Sequence, residues 1–118
     1  MTNAAAMLDA LGDATRRAVF ERVAGGRRSV GELHRGLPVS RPAVSQHLKV
    51  LKEAGLVIDE GVGNRRYYQL NPAAGRALHE YLDRFWDRAL AAFKVAAEAA
   101  AAQESSTRNE RHKKGEKR

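Results

Sequence analysis

One stretch of the chain, residues 40–55 (SRPAVSQHLKVLKEAG), predicts a helix with two chemically different faces. At about 3.6 residues per turn, three apolar side chains fall on a single line: Val44, Leu48 and Leu51. Such a line is typical of a helix that packs against a core. Ser40 is a favoured N-cap and Gly55 a favoured C-terminal stop, so both ends of the helix are defined. We therefore expect this helix to bury one side and to present the other to solvent.

The opposite face of this helix carries several hydrogen-bond donors and only one acid, Glu53. The donors nearest the start of the helix are Arg41, Ser45, Gln46 and Lys49. Side chains of these types read base edges and phosphates in the major groove of DNA. A solvated surface helix has a similar composition, so this face alone leaves both interpretations open.

The residues before this helix predict a helix-turn-helix motif. Ser29 and Glu32 have the spacing of a capping box, which predicts a short helix that ends at about Gly36. Residues 36–39 (GLPV) are expected to form a turn, because a helix must end before the proline. Two short helices joined in this way form a helix-turn-helix. Two earlier helices are expected, over residues 4–11 and from the N-cap Asp13 to about Ala24.

After residue 55 the hydrophobic period changes from that of a helix to that of a strand, which predicts a β-hairpin over residues 56–70. Residues 60–64 (EGVGN) provide the backbone freedom for the reversal. Arg65 and Arg66 follow this tip, where a two-stranded ribbon would contact the backbone or minor groove of DNA. Charges that protect a solvated hairpin edge are the alternative interpretation.

The last predicted helix begins at Pro72 and continues to about Ala102, with apolar residues at spacings of three and four. A single domain of this size has no core deep enough to cover all of that apolar surface, so a second subunit is expected. The predicted dimer interface comprises Met7, Leu8, Leu82, Phe85, Trp86, Ala89 and Phe93. A frayed, alanine-rich monomeric helix is the alternative. We expect residues 1–103 to form one domain and residues 104–118, which lack apolar periodicity, to form a basic disordered tail.

Composition restricts the class of function. The formal net charge of +7 favours polyanionic partners, and the absence of cysteine excludes disulfides and thiolate metal sites. No apolar run approaches the length of about 18 residues that a membrane span needs, and no secretory signal is evident, so a cytoplasmic protein without membrane contact is expected. No nucleophile and base group together, and no glycine-rich phosphate loop opens a helix. We therefore predict neither enzymatic activity nor a cofactor. His34 is expected to be a solvated side chain, and contact with a phosphate when the imidazole is protonated is the alternative.

The order of elements, α-α-α-α-β-β-α, is that of a mainly α winged helix-turn-helix with a small β-hairpin. Three segments carry a closer resemblance: residues 11–17 (LGDATRR), 40–51 (SRPAVSQHLKVL) and 54–57 (AGLV). In these segments the chain resembles the ArsR family of bacterial repressors, and the match covers about residues 4–70. The resemblance implies a homodimer paired through its first and last helices, which represses a promoter and is released by a signal.

The chain departs from the metal-sensing members of that family. Those members carry two cysteines in the helix before the turn, where this sequence reads ELHRGL over residues 32–37. A second family site, in the last helix, is approached only by His79, Glu80 and Asp83. One imidazole with one carboxylate is two ligands short of a closed tetrahedral zinc site. The resemblance therefore suggests the metal-independent branch, with no metal site and with an effector that the sequence does not identify.

Two functional hypotheses from different classes follow. In the first, the protein is a sequence-specific regulator of double-stranded DNA, an autoregulating repressor that binds a pseudo-palindromic operator as a homodimer. Arg41, Ser45 and Gln46 then contact bases, and four residues contact the DNA backbone: Ser40, Lys49, Arg65 and Arg66. In the second, the same fold is a protein-interaction module without specific DNA binding, because a fold alone does not decide function.

Overall fold

The computed structural model describes residues 3–116, with side chains described through residue 110. Its elements are α1 (Ala4–Ala10), α2 (Ala14–Ala24), β1 (Arg28–Ser29), α3 (Val30–His34), α4 (Arg41–Glu53), β2 (Val57–Val62), β3 (Arg65–Leu70) and α5 (Pro72–Glu116). The chain divides into two compact units, of which the first extends to Tyr81 and the second begins at Leu82. The predicted winged helix-turn-helix lies in the first unit, which contains every element except the greater part of α5.

The first unit has one hydrophobic core, to which helices α1 to α4, the first turn of α5 and the start of β2 contribute. Val44, Leu48 and Leu51 of α4 are fully buried, as the apolar line in the sequence predicted. The other core residues are Met7, Ala10, Val19, Val23, Leu33, Leu56, Val57 and Ala74. Complete burial of a Leu or Val side chain stabilises the fold by about 1.5–3 kcal/mol, so these positions fix how the helices pack.

Side-chain caps set the ends of the short helices. The Asp13 side chain accepts a hydrogen bond from the Arg16 amide at 2.9 Å, and Ser29 forms the predicted capping box with Glu32. Ser40 accepts a hydrogen bond from the Ala43 amide at 3.2 Å. At the other end of α4, the Leu56 and Gly55 amides donate to the carbonyls of Leu51 and Lys52, both at 3.0 Å. This pair of hydrogen bonds needs a residue in the left-handed conformation, which Gly55 provides with φ of 85°.

The sheet has three antiparallel strands in the order β1-β3-β2, one more than the hairpin that the sequence predicts. In the hairpin Val57 pairs with Leu70 and Val62 with Arg65, which leaves a two-residue turn at residues 63–64. Gly63 has φ of 61°, the positive value that the first position of a type II′ turn requires. The additional strand is β1, where Arg28 pairs with Tyr68 and Ser29 with Tyr67. Two residues are too few to show strand periodicity, so β1 depends on its partner and has no signal of its own.

Helix α5 continues through residues 104–116, a segment for which the sequence analysis expects no regular structure. The absence of an apolar stripe argues against packing on a core, but it does not argue against a helix. Residues 98–114 contain neither Pro nor Gly, and Glu104 precedes Arg108 by four residues, a spacing that favours a helix. Residues 117–118 of the expected tail lie outside the described residues.

Candidate nucleic-acid interface

The exposed face of α4 collects the predicted base-contacting residues. Arg41, Ser45 and Gln46 are all exposed, whereas Val44 and Leu48 of the same helix are buried. Lys49, a predicted phosphate contact, is also exposed and lies one turn after Ser45. The Ser40 hydroxyl accepts the capping hydrogen bond from the Ala43 amide and still has its own hydrogen to donate. Its role as N-cap is therefore compatible with the predicted phosphate contact. The helix therefore offers a continuous set of donors at one surface.

The turn that sets the direction of α4 is held by two side chains that sequence analysis missed. His34 Nε2 lies 2.8 Å from the Val39 carbonyl, which can only accept, so this nitrogen carries the proton. His34 is therefore half-buried and part of the turn, which corrects the expectation of a solvated side chain. Arg22 of α2 donates to the carbonyls of Leu33, at 3.3 Å, and Arg35 at the end of α3. No sequence spacing signals a contact across eleven to thirteen residues.

The wing, which we define as β2, β3 and their turn, is fixed to α4 by a carboxylate. The Asp59 carboxylate lies 2.9 Å from Lys52 Nζ and 2.7 Å from Arg66 Nη1. Its side chain is only 9% exposed, whereas Lys52 and Arg66 are about half exposed. The hydrogen bond from Lys52, reinforced by that from Arg66, outweighs burial and holds the pKa of Asp59 below its ordinary value of 3.8. Arg66, a predicted DNA backbone contact, is thus engaged through one of its donors.

The other face of the wing is held by Arg27, which precedes β1. Its guanidinium lies 4.8 Å from the centre of the Tyr67 ring and 3.3 Å from the Glu60 carboxylate. Successive residues of a strand point to opposite faces, so Glu60 and Asp59 anchor opposite sides of β2. The alternation also separates Arg65 from Arg66, although both are exposed near the turn as predicted. The wing is therefore braced on both faces, and Arg65 is free of any carboxylate partner among the described side chains.

We expect Asp59→Asn to lower the free energy of unfolding by about 1 kcal/mol near neutral pH, because it removes the charge that Lys52 and Arg66 share. The folded-state pKa of Asp59 lies below the unfolded value, so this contribution is present above pH about 4 and is lost as pH falls through the folded pKa. The difference between wild type and variant should therefore narrow in acid. Urea unfolding followed by circular dichroism at about pH 7 and about pH 3 measures it.

The matched control for Asp59 is Glu60→Gln. Glu60 is the next residue on the same strand and also pairs with an arginine, but its side chain is 63% exposed. Exposed ion pairs contribute about 0–1 kcal/mol, so this variant should unfold nearly as wild type does at both pH values. A stability loss for Asp59→Asn that is the same in acid as at neutral pH would contradict the role assigned to the carboxylate.

The predicted dimer residues fall into three groups in the structure. Met7 is 0% exposed within the single chain, so it has no surface left for a second subunit and its predicted interface role is withdrawn. Leu8 of α1 is half-buried. In the second unit, Phe85 and Trp86 are each 50% exposed and Phe93 67% exposed, while Leu82 and Ala89 are half-buried. The Phe85 and Trp86 rings meet edge to face with centres 5.6 Å apart. We call the predicted interface residues of α5 its apolar stripe: Leu82, Phe85, Trp86, Ala89 and Phe93.

The described part of the chain has neither a metal-binding cluster nor a membrane-spanning helix. Within residues 3–110, no three side chains of His, Cys, Asp or Glu come together in a way that would hold a metal ion. Within the same described part, no helix is both long and apolar enough to cross a membrane.

Comparison with known proteins agrees with this geometry. A family model described as a helix-turn-helix domain matches residues 11–60. The HTH-type transcriptional regulator Rv2034 of Mycobacterium tuberculosis is 63% identical over 84 residues, which cover 71% of this chain and 78% of that protein. The solved structure of an ArsR-like transcriptional regulator from Rhodococcus sp. RHA1 has a TM-score of 0.64 at 35% identity, and the match covers 77% of this chain and 89% of that one. This chain belongs to the ArsR family.

The transcriptional repressor SdpR of Bacillus subtilis is a further relative, 36% identical over 62 residues, which cover 52% of this chain and 69% of that protein. Membership of the ArsR family makes the chain a DNA-binding transcriptional regulator with a winged helix-turn-helix, as the sequence predicted. Members of the family are regulators and not enzymes. Within the ArsR fold, α3 and α4 form the helix-turn-helix and α4 is its recognition helix.

Proposed function

We propose that this ArsR-family protein is a repressor that binds a pseudo-palindromic operator as a homodimer and that its own promoter is one target. The observation that carries the proposal is the exposed donor face of α4, because its residues are chemically suited to base edges and are not used by the fold. Two relatives, one named as a transcriptional regulator and the other as a transcriptional repressor, support the same activity. The proposal includes a cytoplasmic location and a function by binding alone, without catalysis or a resident metal.

Within this proposal, α4 enters the major groove and its central residues read bases. Gln46 offers both a donor and an acceptor, the pair that matches the N6 and N7 edge of adenine. Ser45 lies beside it, and its hydroxyl accepts or donates according to the base it meets. Lys49, Ser40 and the wing arginines contact phosphates, which position the helix without selecting a sequence.

The homodimer is supported by the apolar side chains of the second unit. Leu82, Phe85, Trp86, Ala89 and Phe93 recur at the spacings that put them on one face of α5, along about 17 Å of helix. Large aromatic side chains exposed by half or more in the single chain are typical of a surface that another subunit covers. Two copies related by a two-fold axis then require half-sites about 10 base pairs apart, or a multiple of that distance.

Two substitutions on this interface should have different consequences. Gln46→Ala is expected to relax preference at one operator position by about 1–3 kcal/mol, because a bidentate base contact is lost. Arg65→Ala is expected to weaken binding to all sequences alike and to reduce the slope of log affinity against log salt by about one. Selection of bound sequences from random duplex DNA, followed by affinity measurements at several salt concentrations, gives both quantities.

The same selection distinguishes the regulator from a protein-interaction module. Enrichment of a two-fold symmetric sequence, present upstream of the gene itself, is the expected result. Binding to the enriched sequence that is no tighter than binding to unrelated duplex at moderate salt would contradict sequence-specific recognition. Identical sequence profiles and salt slopes for Gln46→Ala and Arg65→Ala would contradict the roles given to these two residues.

A further inference from the structure

A cleft of about 430 Å³ lies between the helix-turn-helix and the wing. Its walls include Arg35 after α3, Arg41 at the start of α4, and Asn64, Arg65 and Arg66 at the wing turn. Glu32 is the acid among the residues that line it. The cleft therefore brings together arginines from three separate segments, and Arg35 is a residue that no sequence argument singled out.

The charges in this cleft are not balanced by the protein. The Glu32 carboxylate is engaged by the capping box, where it accepts hydrogen bonds from the Ser29 hydroxyl at 3.0 Å and the Ser29 amide at 3.4 Å. These bonds, with smaller contributions from the charges of Arg28 and Arg35, hold the pKa of Glu32 below its ordinary value, so its carboxylate stays ionised. Arg66 is paired with Asp59. Among the described side chains, no carboxylate lies within ion-pair distance of the other three guanidinium groups, those of Arg35, Arg41 and Arg65.

The position of Arg41 separates it from the base-reading residues of α4. A Cβ atom placed on Gly31 would lie 3.8 Å from Arg41 Nη2, so this guanidinium extends over the backbone of α3 and into the cleft. Ser45 and Gln46 do not line the cleft. Arg41, predicted from the sequence to contact a base, is therefore placed to hold an anion beside the helix start.

We propose that this cleft binds one phosphate of the DNA backbone in each operator half-site, with Arg35 and Arg41 as its principal ligands and Arg65 closing it from the wing. A guanidinium presents paired donors that match two phosphate oxygens, so three such groups around one concave site suit a phosphodiester. The cleft includes the first residue of α4, so a phosphate seated there sets how far the recognition helix enters the groove. This inference rests on the proposed function, because the phosphate belongs to the operator.

Arg35→Ala tests the site in the full chain. Its affinity for the selected operator should fall about tenfold and the salt slope should decrease by about one, because one charge-assisted phosphate contact is lost. Arg35 is exposed and its backbone carbonyl, not its guanidinium, binds Arg22, so the melting temperature should not change. Arg35→Lys should keep the salt slope but recover only part of the affinity, because an ammonium lacks the paired donors. The matched control is Arg76→Ala, which removes an exposed arginine that does not line the cleft. It should change the affinity and the salt slope less than Arg35→Ala does.

A scan of single methylphosphonates across one half-site locates the phosphate. Methylphosphonate at the phosphate that the cleft binds should lower the affinity of the wild type. The same replacement should not lower the affinity of Arg35→Ala any further, because two changes to one contact are not additive. Additive losses at every position would overturn the inference, while the proposed function would stand if the operator were still preferred over random duplex.

Thermal melting with pyrophosphate tests whether the cleft binds a free phosphorylated molecule and not the DNA backbone. If pyrophosphate raises the melting temperature of the wild type but not that of Arg35→Ala, the assignment to the DNA backbone is overturned in favour of a phosphorylated small molecule. If pyrophosphate shifts the melting temperatures of both proteins equally, the assignment to the DNA backbone is supported.

Discussion

Replacing Trp86 and Phe93 together by glutamate is expected to leave the protein monomeric and to raise the Kd for a two-half-site operator by about 100-fold or more. Both side chains are at least half exposed in the single chain, so the substitutions do not disturb the core of the first unit. In a dimer they would bury unpaired carboxylates, which costs several kcal/mol for each charge. The lost affinity is the gain that linked half-site binding provides, typically about 10²–10⁴-fold.

Sedimentation measures the oligomeric state of this variant, and a mobility shift with one and two half-sites measures its binding. Affinity for a single half-site should be unchanged, because α4 and the wing are intact. The matched control is Ala91→Glu, an exposed position on the opposite side of α5 from the stripe, where the same charge should leave the dimer intact. A variant that sediments as a dimer at micromolar concentration would show that the apolar stripe is not the subunit interface.

The second large effect is expected in the core. Leu48→Ala should lower the free energy of unfolding by about 2–5 kcal/mol, because Leu48 is fully buried at the centre of α4 and its removal leaves a cavity. For a unit of this size, each kcal/mol lowers the melting temperature by about 4–8 °C, so the transition should fall by tens of degrees at the upper end. DNA binding should be lost at temperatures where the variant is unfolded and be near normal where it is folded.

Gln46→Ala is the control on the same helix. It lies two residues away on the solvent face, so its stability should stay within about 0.5 kcal/mol of wild type while its sequence preference changes. Thermal melts and binding profiles of the two variants should therefore separate folding from recognition. If Leu48→Ala melted with wild type, or Gln46→Ala unfolded much earlier, the two faces of α4 would not have the roles that their burial indicates.

The elements that sequence analysis predicted well are those whose signals are local. Caps at Asp13, Ser29 and Ser40 and the glycine stop at Gly55 act within a few residues of themselves, and the structure has all four. The apolar line of α4 is equally local, because helix geometry alone places its members on one face. Met7 shows the limit of this reasoning. Its apolar character predicts burial, but not whether its own core or a second subunit covers it.

The parts that could not be predicted depend on contacts between distant segments. The sequence around Arg22 and Asp59 is that of an ordinary surface segment. Their roles arise because tertiary packing brings α2 within hydrogen-bond range of α3, and the wing within range of α4. The phosphate cleft likewise needs residues 35, 41 and 65 in one place, and neither spacing nor charge patterning joins them. The long extension of α5 went unpredicted for a different reason, since helix propensity without an apolar face gives no periodic signal.

Ser29 belongs to two elements at once, as a strand residue paired with Tyr67 and as the N-cap of α3. Its hydroxyl accepts from the Glu32 amide at 3.3 Å while its backbone extends the sheet of the wing. A wing grafted from a relative as residues 57–70 alone would arrive without the two strand residues that pair with Tyr67 and Tyr68. Chimaeras that exchange wings between regulators of this family should therefore carry residues 28 and 29 with the hairpin, as one transplanted piece.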